Sequence, residues 1–135
     1  PRYTPHQSWQ RQMCIRDRDK NCIDFLQMDI CSCGGLTEAK RITALSSTKG
    51  VKVIPHTWGS GIAFFTAINF ISNLEPIPGR LYQEDAYIEY DRTENKIREN
   101  IIKNNIAMKD GYIEVNNKPG LGIDVDETYL NKVKI

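Results

Sequence analysis

Three titratable side chains stand where apolar stretches of this 135-residue chain give way to turns: Asp29 after Ile23-Asp-Phe-Leu-Gln-Met, His56 after Val51-Lys-Val-Ile-Pro, and Glu89 within Tyr87-Ile-Glu-Tyr90. A carboxylate that accepts a hydrogen bond from one imidazole nitrogen fixes the tautomer, raises the basicity of the ring and leaves the other nitrogen free as a general base. Asp29 and His56 are the residues offered for such a pair. The alternative is structural: Asp29 caps the turn that follows it and His56 is a capped loop histidine. The residues by themselves leave both readings open. Glu89 is the third candidate, and Glu75 in Leu74-Glu-Pro76 is its rival.

The elements that must position these groups alternate strand and helix. Ile23–Asp29 predicts an apolar strand of a sheet covered on both faces, interrupted by Asp24 and Gln27. Gly34-Gly35 predicts a turn, Thr37 can cap a helix over roughly Glu38–Thr48 with Ala39, Ile42 and Leu45 inward, and Gly50 ends it. Val51, Val53 and Ile54 then make a short buried strand whose pairing Pro55 ends, and Gly59-Ser-Gly61 opens a second helix. Its Phe64, Ala67, Ile68 and Ile71 fall at i, i+3, i+4, i+7, a stripe read as core packing. Two adjacent parallel strands joined by one helix bring their C-terminal ends side by side, because the crossover is right-handed. Asp29 and His56 are therefore expected as neighbours.

Farther along, Pro76, Pro78 and Gly79 make Asn73–Asp85 a loop, and Tyr87–Tyr90 predicts a third short strand ending near Glu89. Ile97, Ile101 and Ile102 are spaced for one side of a short helix within Thr93–Asn105, and Lys109-Asp-Gly111 marks a hairpin within Ile106–Val115. Asp126–Val133 closes the chain as a short amphipathic helix.

Composition narrows the class of partner. Eighteen basic against seventeen acidic residues give a net charge of +1, which offers no electrostatic case for nucleic acid or a membrane surface. No apolar run approaches the ~20 residues of a membrane helix, and nothing resembles a signal peptide, so the expected location is the cytoplasm. Cys14, Cys22, Cys31 and Cys33 read as free thiols, since Cys31 and Cys33 are one residue apart rather than at a zinc-type spacing.

The stretches Leu26-Gln-Met-Asp29, Cys33-Gly-Gly-Leu-Thr-Glu-Ala39 and Pro55-His-Thr-Trp-Gly-Ser-Gly61 resemble the last part of the barrel of the enolase superfamily. The nearest likeness is to its mandelate racemase and muconate lactonizing enzyme group. It continues through Ile88-Glu-Tyr-Asp91, Asp110-Gly-Tyr-Ile-Glu-Val115 and Pro119-Gly-Leu-Gly-Ile-Asp-Val-Asp126, from about Asp19 to the C-terminus. The fold implied is α/β: the last three strand–helix units of a (β/α) TIM-type barrel over residues 19–105, and a tail over 106–135 that contributes to the capping domain. Ile-Glu-Tyr-Asp matches the family's last barrel strand, which favours Glu89 over Glu75.

The activity implied is Mg²⁺-dependent abstraction of the proton beside a carboxylate, for which this superfamily uses a Lys or His base with one or two Mg²⁺ ions. His56 would be the acid/base, Asp29 its orienting partner, Glu89 a protonated donor to the substrate carboxylate and Trp58 a wall of the pocket or a packing residue. The Mg²⁺ ligands are expected on earlier strands that nothing here matches. A complete barrel takes about 250 residues, so the chain is expected to be an inactive fragment of a homo-oligomeric enzyme acting on small acid sugars. Dehydration suits the motifs; racemization or sugar-lactone cycloisomerization would use the same enolate. A non-catalytic small binding domain is the reading from another class. Pro1–Arg18 stands apart: Gln12-Met-Cys-Ile-Arg-Asp-Arg18 resembles adaptor read as coding sequence, and the segment is expected to be non-native or disordered.

Overall fold

The computed structural model describes residues 23–77, 79, 81–82, 85–104 and 106–134. The expectation for Pro1–Arg18 lies outside the described residues, as do Cys14 and Cys22. Two short strands, β1 (Phe25–Leu26) and β2 (Lys52–Val53), pair in parallel with Phe25 opposite Lys52 and Leu26 opposite Val53. The ladder runs on past both: Ile54 N donates to Leu26 O (3.0 Å), His56 N donates to Met28 O (2.9 Å), and Asp29 and His56 form a parallel bridge. Pro55 fits between these two donors because its nitrogen faces away from β1, where no hydrogen bond to β1 is required of it.

That same proline explains a difference from expectation. Tyr87–Tyr90 is extended but forms no ladder with β2. On that side of β2, Pro55 has no N–H to give, and the next N–H, that of Thr57, donates to the Glu89 side chain instead of to backbone (3.1 Å). The segment nevertheless keeps strand alternation: Ile88 and Tyr90 pack on the core, while Tyr87 lies under Lys52 Nζ (4.1 Å) and Glu89 reaches His56.

Among the described residues the sheet is covered on one face rather than two. Leu26, Met28, Val53, Pro55 and Thr57 are buried, while Phe25 (56% exposed), Gln27 and Trp58 are open to solvent and Asp29, Lys52, Ile54 and His56 are half-buried. Three helices supply the cover. α1 (Ile30–Cys33), absent from the sequence expectation, buries Ile30 and Cys33. After Gly34-Gly35, α2 (Leu36–Ser47) begins with Gly35 as its N-cap, so Thr37 lies inside the helix and does not cap it. Ala39, Ile42 and Ser46 face inward, the Ser46 hydroxyl satisfied by Ile42 O (3.0 Å); Leu45 is 42% exposed, off the stripe assigned to it.

α3 (Gly61–Ser72) is the central piece. Ser60 caps it by accepting from Ala63 N (3.2 Å), and the expected stripe Phe64, Ala67, Ile68 and Ile71 is buried together with Phe65 and Phe70. Ala67, Phe70 and Ile71 join Leu26, Met28, Ile42 and Val53 in one cluster; Phe64, Phe65 and Ile68 join Ile101 and Ile102 in a second. Burial of each large side chain is worth about 1.5–3 kcal/mol, and this helix contributes to both clusters.

α4 (Lys96–Asn100) is followed by a hairpin of β3 (Met108–Lys109) and β4 (Tyr112–Ile113) turning at Asp110 (φ 52°) and Gly111 (φ 84°), as the Asp-Gly pair predicts. The tail returns to α4 through Asp126 N to Ile101 O (2.9 Å) and Lys103 N to Asp124 O (2.8 Å), and ends in α5 (Glu127–Val133). Among the described residues no helix is long and apolar enough to cross a membrane.

Candidate functional site

Asp29, His56 and Glu89 lie at one end of the sheet and on its open face. The period of two puts Phe25, Gln27 and Asp29 on that face from the first strand, Lys52, Ile54 and His56 from the second, and Tyr87 and Glu89 from the extended segment. The alternate positions Leu26, Met28, Val53 and Ile88 go to the helices, so the hydrophobic register itself fixes which face carries the polar groups.

Within the cluster, the imidazole pairs with Glu89. His56 Nδ1 is 2.6 Å from Glu89 Oε2, and the same oxygen accepts from Thr57 N at 3.1 Å. The Thr57 hydroxyl donates to Glu89 O, so Thr57, itself buried, binds the carboxylate and the backbone of the same residue. An oxygen already accepting from an amide is best served by a second donor, which places a proton on Nδ1 and leaves Nε2 with its lone pair. Both side chains are partly exposed, 43% for His56 and 37% for Glu89, which leaves the free nitrogen open to a ligand.

Asp29 sits beside His56 in the ladder, but its carboxylate is used locally. Oδ1 accepts from Cys31 N (2.8 Å) and Oδ2 from the Ser32 hydroxyl (2.6 Å), making Asp29 the N-cap of α1. This corrects the expected Asp29–His56 side-chain pair: the backbone neighbours are those expected, and the hydrogen-bond partner of the ring is Glu89. The physical reason is proximity, since an N-terminal amide two residues ahead competes for an Asp oxygen without ordering any distant group. Both hydrogen bonds that Glu89 accepts through its side chain fall on Oε2. Trp58 is 69% exposed. Glu75 stays in the loop after α3 and lines a cavity of about 350 Å³ with Thr43, Lys52 and Tyr82, near β2's beginning rather than its His56 end.

Two residues that sequence reasoning missed frame the site. Asn95 caps α4 by accepting from Ile97 N (3.1 Å) and Arg98 N (3.0 Å), and its Nδ2 donates to Gly59 O (3.1 Å), in the turn that follows His56. Arg98, 6% exposed, donates to Asp91 Oδ2 (2.7 Å) and to Thr93 O, in the turn that follows Glu89. An Asn just before a short helix is an N-cap signal that could have marked Asn95; no sequence signal marks Arg98. Hydrogen bonds from Thr93 N and the Thr93 hydroxyl, and then the Arg98 guanidinium, hold the Asp91 carboxyl below its ordinary range. Cys31 is pushed up by burial and then by the Asp29 charge, which keeps the thiol protonated. Among the described residues no three His, Cys, Asp or Glu side chains converge to hold a metal ion.

The comparisons bear on what such a site belongs to. A family model described as enolase C-terminal domain-like matches residues 4–129. D-galactarolactone cycloisomerase of Agrobacterium fabrum is 32% identical over 113 residues, 84% of this chain and 30% of that protein. The crystal structure of the 3,6-anhydro-D-galactonate cycloisomerase from Zobellia galactanivorans superposes with a TM-score of 0.76 at 39% identity, over 90% of this chain and 32% of that one. An enolase from Pantoea ananatis, with bound d-gluconate and Mg, superposes with a TM-score of 0.67 at 29% identity, over 87% of this chain and 26% of that one. Other curated relatives are named D-galactonate dehydratases. The chain spans about 30% of the length of the curated relatives it matches.

Proposed function

The chain belongs to the enolase C-terminal domain-like family, and from that premise we propose that it supplies the acid/base wall of a longer enzyme that removes the proton alpha to a sugar carboxylate. The observation that carries this is the placing of Asp29, His56 and Glu89 at one end of the open sheet face, with the Nδ1 of His56 engaged by Glu89 and Nε2 free. In a barrel that face is the interior, and groups at the C-terminal ends of strands line the active site. On this reading residues 19–105 are the last three barrel units and 106–135 a tail to the capping domain.

His56 Nε2 takes the alpha proton, and Glu89 holds the imidazolium that forms. In dehydration the C–H electron pair forms the Cα=C bond of an enediolate; as the carboxylate re-forms, that pair moves into a Cα=Cβ bond, the β C–O bond breaks with its pair on oxygen, and the proton on His56 leaves with that hydroxyl as water. The enol that remains tautomerizes to a keto acid. Trp58, exposed two residues beyond His56, would flank the sugar. Mg²⁺ is named with the Pantoea ananatis structure, but the described residues of this chain do not fit a Mg²⁺ site.

A second reading, cycloisomerization of a sugar lactone or anhydro acid, is favoured by the two cycloisomerases among the similar proteins. It shares the proton abstraction and differs in the leaving group, a ring oxygen, so no water is lost. Mass spectrometry of the whole enzyme's product separates the two: loss of one water from an acid sugar supports the dehydratase, an isomer of the lactone the cycloisomerase. In either case His56→Asn is expected to lower turnover about 10²–10⁴-fold. Unchanged turnover of both substrate types would remove His56 from the mechanism.

A further inference from the structure

Along β2 and the residues that follow it, the positions turned toward the helices are Val53, Pro55 and Thr57, all buried. Thr57 is the polar member of that row, 7% exposed, and a hydroxyl taken out of water among apolar neighbours needs a hydrogen-bond partner. It finds one on another segment: the Thr57 hydroxyl donates to Glu89 O. The Thr57 amide donates to Glu89 Oε2 at 3.1 Å. A parallel ladder would have joined the two segments by amide and carbonyl, but none forms between them. Here the amide goes to the side chain and the hydroxyl to the carbonyl, so one residue holds both the carboxylate and the backbone of another. At its other end the segment is held by Lys52 Nζ, which donates to Asp85 O (2.9 Å), well short of Glu89.

We infer that Thr57 is a positioning residue: its hydroxyl, bound to the Glu89 carbonyl, sets the register of the third segment against β2 and so aims the Glu89 carboxylate over the open face. The inference rests on the proposed function only in taking Glu89 as a residue of the site, and it holds whichever group that carboxylate serves there. Thr57 faces the helices rather than the open side, so it does not meet the reacting atoms and acts through Glu89. Two attachments to one residue fix its direction as well as its place. The β-branched side chain of Thr57 is stiff at χ1, so the hydroxyl keeps its aim without ordering a long chain. Without that hydroxyl Glu89 O loses this donor, and the segment has no ladder with β2 to keep it in register.

Thr57→Val copies the shape of the side chain without the hydroxyl and keeps the amide, so the amide at position 57 reports on the variant as well. The measurement is the ¹H shift of that amide in the ¹⁵N-labelled 135-residue chain, titrated through the carboxylate range from about pH 6 to pH 3. An amide that donates to a carboxylate follows its ionisation, because the bond strengthens with the charge. The expected result is an amide that follows Glu89 in the unaltered chain and in Thr57→Ser, and loss of that response in a Thr57→Val that still melts cooperatively. A purely structural role would lower the melting temperature and leave the response in place. A folded Thr57→Val that keeps the response would overturn the inference, as would a Thr57→Ser that loses it, since the hydroxyl would then not be the anchor. An unaltered chain whose Thr57 amide ignores the carboxylate would do the same. If Thr57→Val and Thr57→Ala both fail to fold, the hydroxyl serves the fold as a whole and the positioning role falls. Glu89→Gln cannot ionise and must abolish the response; a response that survives it comes from another acid, and the anchor falls with it. What Glu89 does in turnover is measured separately, by the kinetics of the whole enzyme, so failure of that role is not mistaken for failure of the anchor.

Discussion

At the scale of single residues, which carboxylate serves His56 is decided by what each acid has closer at hand. Asp29 has the Cys31 amide and the Ser32 hydroxyl within two or three residues, and Glu89 has Thr57 N and the ring. Asp29→Asn is expected to keep an acceptor for Cys31 N and to cost only about 0.5 kcal/mol, with little change in turnover of the whole enzyme. Glu89→Gln should lower turnover on the order of 10²-fold or more. Kinetics showing the opposite order would return the partner role to Asp29. Asp91 carries a pH consequence. Its carboxyl is held below the usual value by Thr93 and then Arg98, so its folded pKa lies under its unfolded one, about 3.9, and the contribution is present above that value and lost as pH falls through the folded one. Acid unfolding should therefore be shallower in Asp91→Asn than in the unaltered chain, followed by circular dichroism between about pH 5 and pH 2. Equal slopes would mean the Asp91 hydrogen bonds do not differ in strength between the two states. None of these side-chain choices was legible beforehand. The sequence placed Asp29 and His56 at adjacent strand ends correctly, and the register confirms them as bridge partners. It had no means of weighing a local cap against a long-range pair, because the two use the same atoms.

Elements were legible where one period ran without competition. The stripe of Phe64, Ala67, Ile68 and Ile71 and the Asp110-Gly111 turn are as the pattern predicts. α1 was not, since four residues are too few to show a period. The third strand failed for the reason that Pro55 supplies, a missing donor on the neighbouring strand rather than any feature of Tyr87–Tyr90 itself. Tight joints between elements are equally invisible in a sequence, and Gly61 is the clearest. It lies at the first position of α3 against the backbone of α4, so glycine is required there by close approach. Gly61→Ala must displace Arg98 O or strain the helix start, and is expected to destabilise by about 1–3 kcal/mol in denaturant unfolding. Gly50→Ala, with nothing within 4 Å of the added carbon but a φ of 67°, serves as the comparison for backbone strain without contact. If Gly61→Ala were as stable as the unaltered chain, α4 would not be seated on α3 as described.

For the whole molecule, the same open face that carries the polar triad also leaves Phe25 and Tyr87 more than half exposed, with Trp58 at its end. A parallel pair is ordinarily covered on both faces, and among the described residues β1 pairs with β2 alone. Strand edges and apolar side chains left in water favour association with another chain. The 135-residue chain should accordingly self-associate with rising concentration in sedimentation and bind a hydrophobic dye. Phe25→Gln should reduce both while leaving the melting transition in place, because Phe25 faces away from the core. Leu26→Ala, one residue on and buried on the opposite face, should instead cost about 2–5 kcal/mol. The contrast between adjacent positions tests the register on which the site depends: Phe25 shares a face with Asp29, and Leu26 does not. A chain that stays monomeric at all concentrations, binds no dye and melts cooperatively would show that the face needs no covering. The open sheet would then be the surface of a small binding domain rather than the inside wall of a barrel, and the acid/base role of His56 would have to be argued without an enclosed pocket.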